Sequence, residues 1–305
     1  MSVGVEKVVV LGASADQGIP LVGALKKAGF TPIAAARRMD AMQTTPFPET
    51  PVVFADITDQ ASLEAAFAGQ DALAMHLPFE HNRAIAASYG KNIAAAAKAA
   101  GLKKIVFNTS CYIADHDLGV TAHDGRRDIE LAIRDSGINH VFIEPAVFMN
   151  NMIAPWCKPS IVKHGMFAYP ASETLKISFI SLDDVGAVMA AALQTDSVDG
   201  QSVSIGGPQA LTGYDVAKTL SKVIGREIKF NSLKPTEFAE NISELVTGSR
   251  VVPEGSVYNG MALFYTFYNS QPVSPLAIDP DSFLGKLPVT LTSFEDWAAK
   301  QNWDA

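Results

Sequence analysis

The segment Gly12-Ala13-Ser14-Ala15-Asp16-Gln17-Gly18 has the residue types of a turn that holds a pyrophosphate. Small residues let backbone N–H groups approach an anion, and a helix that starts directly behind them adds the positive end of its dipole. Gly12 suits the tight turn, and Gly18 suits a helix packed close to a sheet. Ser14, Ala15 and Gln17 fall within reach of the same anion, with Ala15 standing where a further glycine is common. About 20 residues beyond the turn, an NAD site would place an acid on the ribose 2′-hydroxyl. This chain has Arg37-Arg38 there, which suits the 2′-phosphate of NADP(H). The plainer alternatives are a glycine turn that holds no nucleotide, and arginines that are surface charges, one of them paired with Asp40.

Such a turn works only between a buried strand and a helix. The apolar run Val8-Val9-Val10-Leu11 precedes it. An amphipathic pattern (Leu21, Val22, Ala24, Leu25, Ala28) follows, then Gly29 and a second apolar run over 32–36. The alternation continues with a strand over 52–55 ending at Asp56, a helix over 62–67 and a strand over 72–77. An alanine-rich helix over 83–100, a strand over 105–107, a helix over 124–136 and a strand over 141–143 complete it. Apolar strands joined by short connections through helices predict a parallel sheet covered on both faces. The expected fold is α/β, a Rossmann-type doubly wound parallel sheet with a smaller, partly discontinuous C-terminal substrate domain.

The second half is less regular. It predicts a short helix over 148–156 broken by Pro155 and Pro159, a loop or hairpin over 163–171, and a strand and helix over 177–180 and 183–193. A strand over 202–205 and a helix over 212–224 capped by Thr212 follow. The proline-punctuated remainder shows no assignable pattern. Residues 1–150 are assigned to dinucleotide binding, with 177–207 returning to that unit. Residues 151–176 and 208–305 are assigned to the smaller substrate domain.

The 305 residues can bury a large core, and a composition of 48% hydrophobic and 18% charged residues is that of a soluble enzyme. A net charge of −8 argues against a nucleic-acid partner. No apolar run approaches a membrane span, and the N-terminus lacks the pattern of a signal peptide. Cys111 and Cys157 lack metal or disulfide-framework spacing. The expectation is a cytoplasmic, metal-free monomer or homodimer that acts on a small molecule.

Several further segments carry a resemblance. They are Ala35-Ala36-Arg37-Arg38, Phe54-Ala55-Asp56, the passage Ala97-Lys98-Ala99-Ala100-Gly101 into Ile105-Val106-Phe107, and Ser136-Gly137-Ile138 through Glu144-Pro145 to Phe148-Met149-Asn150-Asn151. The last is Ile180-Ser181-Leu182-Asp183-Asp184-Val185-Gly186. Together with the glycine turn, over roughly residues 5 to 230, the chain resembles the NmrA-like branch of the atypical short-chain dehydrogenases/reductases. The resemblance implies NADP(H) as cofactor and Asp56 beside the adenine. At the carboxyl ends of the fourth and fifth strands, residues 76–79 and 109–112 would frame the nicotinamide, with His76, Leu77, Pro78, Asn108 and Thr109 as cofactor contacts, His76 alternatively being a strand-end residue bonded to backbone.

The departures matter as much. The Tyr-x-x-x-Lys pair of ordinary relatives is missing near Tyr112; Tyr214 and Lys218 have the spacing but fall on a late helix. Where many reductases of the branch carry a lysine four residues before a helix glutamate, here Glu130, this chain has Arg126. Arginine stays protonated and is a poor acid or base, although it can hold a phosphate or an oxyanion.

Tyr112, His123 and Arg126 are the catalytic candidates. Tyr112 would need a cation to lower its phenol, and His123 could relay a proton or simply be a solvent-facing loop residue. Phe79, Cys111, Phe148, Met149, Met152, His164 and Tyr169 are the candidate substrate contacts, with burial in the small domain's own core as the bland alternative. The expected function is an NADPH-dependent reductase passing hydride to a small aromatic or conjugated carbonyl, quinone or enone. The alternative is a non-catalytic, NADP(H)-binding redox sensor acting through a protein partner.

Overall fold

The computed structural model describes residues 4–304; the domain limits at residues 1–3 and 305 lie outside them. In chain order the first part runs β1 (Lys7–Leu11), α1 (Gly18–Lys27), β2 (Thr31–Ala36), β3 (Val52–Phe54), α2 (Gln60–Phe67), β4 (Ala72–His76), α3 (Arg83–Ala99), β5 (Lys104–Asn108), α4 (Thr121–Asp135) and β6 (Asn139–Pro145). The second part runs β7 (Val147–Phe148), a 3-10 turn (Met149–Ile153), α5 (Lys158–His164), β8 (Met166–Tyr169), β9 (Phe179–Ile180), α6 (Leu182–Gln194), β10 (Ser202–Ile205), α7 (Gly213–Ile224) and β11 (Lys229–Ser232). Four helices follow: α8 (Pro235–Thr247), α9 (Val257–Ser270), α10 (Asp281–Leu284) and α11 (Phe294–Ala299). Among the described residues no helix is long and apolar enough to cross a membrane.

Seven strands form one parallel sheet in the order β10-β6-β5-β4-β1-β2-β3. The continuous apolar run in β1 follows from burial on both faces. Val8 and Val10 pack with α1 and α6, while Val9 and Leu11 pack with α2, α3 and α4. The register aligns Leu11 with Ala35 and Met75, and His76 with Asn108. The turns after β1, β2, β4 and β5 therefore emerge at one edge, where ligands of open α/β sheets bind.

The smaller lobe is built on a core that includes Phe167, Tyr169, Phe179, Phe238, Tyr265 and Tyr268. Its β8 pairs in parallel with β11, and β7 pairs with β9. Four expectations are corrected here. The segment expected as a loop or hairpin is the end of α5 followed by β8, because Pro159 starts a helix rather than ending one and Gly165 closes it in the left-handed region. The helix expected over 148–156 is a strand and a 3-10 turn. Within the stretch 208–305, Phe283 and Leu287 pack into the core under α6 and β10, not into the smaller lobe. The helix after β5 also begins at Thr121, three residues earlier than its apolar pattern suggested. Thr212 does cap α7, in a reciprocal arrangement with Asp215.

Candidate active site

At the turn after β1, Gly12 has φ +83°, and a Cβ there would lie 2.5 Å from His76 Nε2. At Gly18 a Cβ would lie 2.0 Å from the Gly12 carbonyl oxygen, so α1 enters the turn in contact with its backbone. Both glycines are thus required by geometry. Ala15 is not: it is exposed, has no positive φ, and its N–H donates to the Gly12 carbonyl at 3.0 Å. Its methyl group fits the turn without strain. No side chain caps the start of α1 at Gly18, but the Gly18 and Ile19 N–H groups already donate to the Ala15 carbonyl at 2.8 and 2.9 Å and Pro20 has none, so an anion would meet the helix dipole and the N–H groups of the preceding turn. Ser14 is exposed beside them.

The side chains around the turn hold it to the neighbouring strands. The His76 ring N–H donates to the Gly12 carbonyl at 2.9 Å, and burial pushes its pKa below the usual histidine value. Gln17 Oε1 accepts from the Asn108 amide at 2.8 Å and from the Ser110 hydroxyl at 3.0 Å. Asn108 Oδ1 in turn accepts from the Ser110 N–H at 2.8 Å, with Ser110 at φ +63°. Thr109 differs: it is fully buried, and its hydroxyl donates to backbone carbonyls of Cys111 and Ile143, so it braces the strand end and offers nothing to a cofactor. Leu77 is buried, whereas Pro78 is exposed.

Arg37 and Arg38 leave the end of β2 exposed. Arg38 Nε lies 3.5 Å from Asp40 in a solvent-exposed pair. Asp56 is half-buried after β3. Hydrogen bonds from the Thr58 N–H and hydroxyl hold its carboxyl below the usual range, and the Arg37 charge adds to this. Together the small-residue turn, the dipole of α1 behind it and the exposed arginines fit a dinucleotide phosphate group; Arg37 and Arg38 would hold a 2′-phosphate.

Beside the turn, a cavity of about 300 Å3 separates the strand ends from the smaller lobe. Phe79, Phe148, Trp156, Phe238, Met261 and Phe264 give it an aromatic and apolar lining, and Ser110 lies on its wall. A second hollow of about 650 Å3 is lined only by residues of α3, α4 and the adjoining Ser136, and by none of the strand-end residues.

The three catalytic candidates do not converge on the cavity. Tyr112 is half-buried with its phenol pushed up by burial and by the acids Glu144 and Asp115, the opposite of the cation that an acid catalyst needs. His123 is buried in the first turn of α4, stacked on Phe264 and bonded to the Tyr268 hydroxyl at 2.9 Å. Burial brings its pKa down to about 4. It is neither a loop residue nor a relay to solvent, because α4 starts early enough to carry it into the interface with α9. Arg126 is 2% exposed, bonded to the Leu77 carbonyl and sandwiched between the Phe79 and Phe107 rings at 4.6 and 5.6 Å. Burial brings its guanidinium down to about 10.

The expected substrate contacts divide in the same way. Phe79 and Phe148 line the cavity. Cys111, Met149, Met152 and Tyr169 are wholly buried core residues, Tyr169 bonded to the Tyr265 hydroxyl at 2.8 Å. His164 is exposed at the end of α5 and is not part of the lining. Most of the lining was missed as substrate contact, including Ser110, Trp156, Phe238, Met261 and Phe264, and so was His81, in the loop between β4 and α3. A histidine just past the carboxyl end of a central strand was the signal that could have found it.

Residues 5–297 match the NmrA-like family. The chain belongs to that family. It is 29% identical over 228 residues, 74% of this chain and 77% of the other, to a (4-alkanoyl-5-oxo-2,5-dihydrofuran-3-yl)methyl phosphate reductase of Streptomyces griseus. Its fold matches an NADPH-dependent quinone oxidoreductase of Escherichia coli complexed with NADPH (TM-score 0.78, 22% identity, 95% of this chain and 98% of that one). It also matches NmrA, a negative transcriptional regulator, in complex with NADP (TM-score 0.76, 16% identity, 97% and 95%). This NmrA-like chain therefore shares its fold with both a reductase and a regulator.

Proposed function

We propose that the protein is an NAD(P)H-dependent oxidoreductase that prefers NADPH and reduces a small, flat, conjugated acceptor such as a quinone, enone or aryl ketone. One observation carries this reading. Ser110 bonds to Gln17 of the glycine turn and also lines the aromatic cavity, so the dinucleotide turn and the acceptor pocket are adjoining parts of one edge. The bound dinucleotide supplies a hydride. The chain's own residues bind and exclude: the turn and the start of α1 hold the pyrophosphate, Arg37 and Arg38 hold the 2′-phosphate, and the aromatic walls stack a flat ligand and keep out water. The reductases among its relatives support the class of reaction.

A second reading, an NADP(H)-binding sensor without turnover, is favoured by one observation: neither Tyr112, His123 nor Arg126 is set up to move a proton at the cavity. Steady NADPH oxidation with a panel of quinones, enones and aryl ketones separates the two. Acceptor-dependent oxidation above the protein-free rate is expected. Tight NADPH binding with no such oxidation would replace the reductase with the sensor.

A further inference from the structure

The cavity is apolar except at a few side chains; besides Trp156, whose indole N–H has no protein partner but is reached by solvent, and the Asn151 side-chain oxygen, these are His81 and groups engaged elsewhere. The Ser110 hydroxyl donates to Gln17 at 3.0 Å, the Asn151 amide to the Tyr169 hydroxyl at 3.3 Å, and the Tyr265 hydroxyl bonds to Tyr169 at 2.8 Å. His81 is different: both its ring nitrogens are shielded from solvent, and neither has a hydrogen-bond partner. Buried polar atoms are normally paired, and leaving one unpaired costs about 1–3 kcal/mol. The neighbouring helix leaves room for the imidazole. Helix α9 has Gly260 against the ring, and a Cβ at that position would lie 2.6 Å from His81 Cε1 and 2.8 Å from Nδ1.

We infer that His81 is the polar contact for the acceptor, donating a ring N–H to the carbonyl oxygen of a flat conjugated ligand stacked in the aromatic cavity. The inference rests on the proposed reductase reading and names the side chain that would recognise the acceptor's oxygen. Burial, together with Arg126, disfavours the charged ring, and Glu80 opposes this only in part, so the imidazole is neutral with one donor and one acceptor nitrogen. The final torsion of a histidine side chain is soft, so a turn of the ring would bring a nitrogen to the cavity. A hydrocarbon of the same shape would fill the same walls and leave the ring unpaired.

Binding rather than turnover tests this directly. The NADP+-loaded protein is titrated with 2-methyl-1,4-naphthoquinone and with 2-methylnaphthalene, following the fluorescence of Trp156, which lines the cavity. Wild type is expected to favour the quinone by about tenfold, the effect of one buried hydrogen bond. His81→Leu should bind the two ligands equally, His81→Gln should recover part of the preference, and NADPH affinity should stay within about twofold in both variants. His81→Leu should also be no less stable than wild type without ligand, since it removes an unpaired buried group. Quinone preference that survives in His81→Leu, or no binding of either ligand by wild type, overturns the assignment. Preference for the quinone without acceptor-dependent NADPH oxidation leaves His81 as the contact and removes the reductase reading.

Discussion

Replacing Gly12 by alanine probes the turn most sharply, because two separate penalties meet there. The first is backbone strain: at φ +83° an L-residue costs about 1–2 kcal/mol. The second is steric. The new Cβ would lie 2.5 Å from His76 Nε2, so the imidazole must move and lose its 2.9 Å bond to the Gly12 carbonyl. That carbonyl still accepts from the Ala15 N–H, but the His76 N–H is left buried and unpaired, for about 1–3 kcal/mol more. Gly12→Ala should therefore destabilise the protein by about 2–5 kcal/mol. In a His76→Ala background the clash is gone and only strain remains, so the same change should cost about 1–2 kcal/mol. Urea denaturation followed by circular dichroism on the four proteins gives the coupling, expected at about 1–3 kcal/mol. A coupling below about 0.5 kcal/mol would mean that His76 does not bear on the turn, and the reasoning would be wrong.

Other outcomes follow from the same geometry. Arg37→Ala should weaken NADPH binding by about tenfold and Arg38→Ala by about threefold, because Arg38 is already shared with Asp40; NADH binding, by calorimetry, should hardly change. A methyl group at Gly260 would displace the His81 ring, so Gly260→Ala should abolish the preference for the quinone over its hydrocarbon while sparing NADPH affinity. His123 provides a pH test. Its folded pKa of about 4 lies below the ordinary histidine value of 6.5, so the unfolded chain takes up a proton first as pH falls. Its contribution to stability is complete above about pH 6.5 and is lost between there and about pH 4, for a total of about 3 kcal/mol. Denaturation midpoints for wild type and His123→Asn should diverge with exactly that pH range, while the buried Glu130 and Glu144, raised to about 8 and about 7 mainly by burial, contribute equally to both proteins. Parallel pH profiles for the two would count against the buried neutral ring.

The layout of the larger unit was legible because its signals are local. Val8-Val9-Val10-Leu11 must be buried on both faces, Gly12 and Gly18 bracket a turn, and the alternation of apolar runs with helical patterns leaves a doubly wound sheet as the natural solution. The smaller lobe was harder to read. Its strand β8 pairs with β11 some sixty residues away, and neither strand has a pattern of its own until the partner covers it. Pro159 was read as a breaker because a proline looks the same before and after a helix start; only the left-handed Gly165 and the packing of Ile161 and Val162 decide which.

The sequence by itself determined the strand-and-helix alternation, the glycine turn and the adjacent arginines, since each depends on neighbours within a few residues. Tertiary structure alone decided which polar side chains are free. Tyr112, His123, Arg126 and Thr109 all have suitable chemistry on paper. In the fold, acids face the first, Tyr268 and Phe264 enclose the second, two phenylalanine rings cover the third, and backbone carbonyls occupy the fourth. The place of His81 just past the end of β4 was its one signal in the sequence, and that signal does not separate a free histidine from a paired one. The two unpaired nitrogens of His81 become visible only when α9, about 180 residues later in the chain, closes over it with Gly260. Burial and partnership are properties of contacts between distant segments, and no local pattern encodes them.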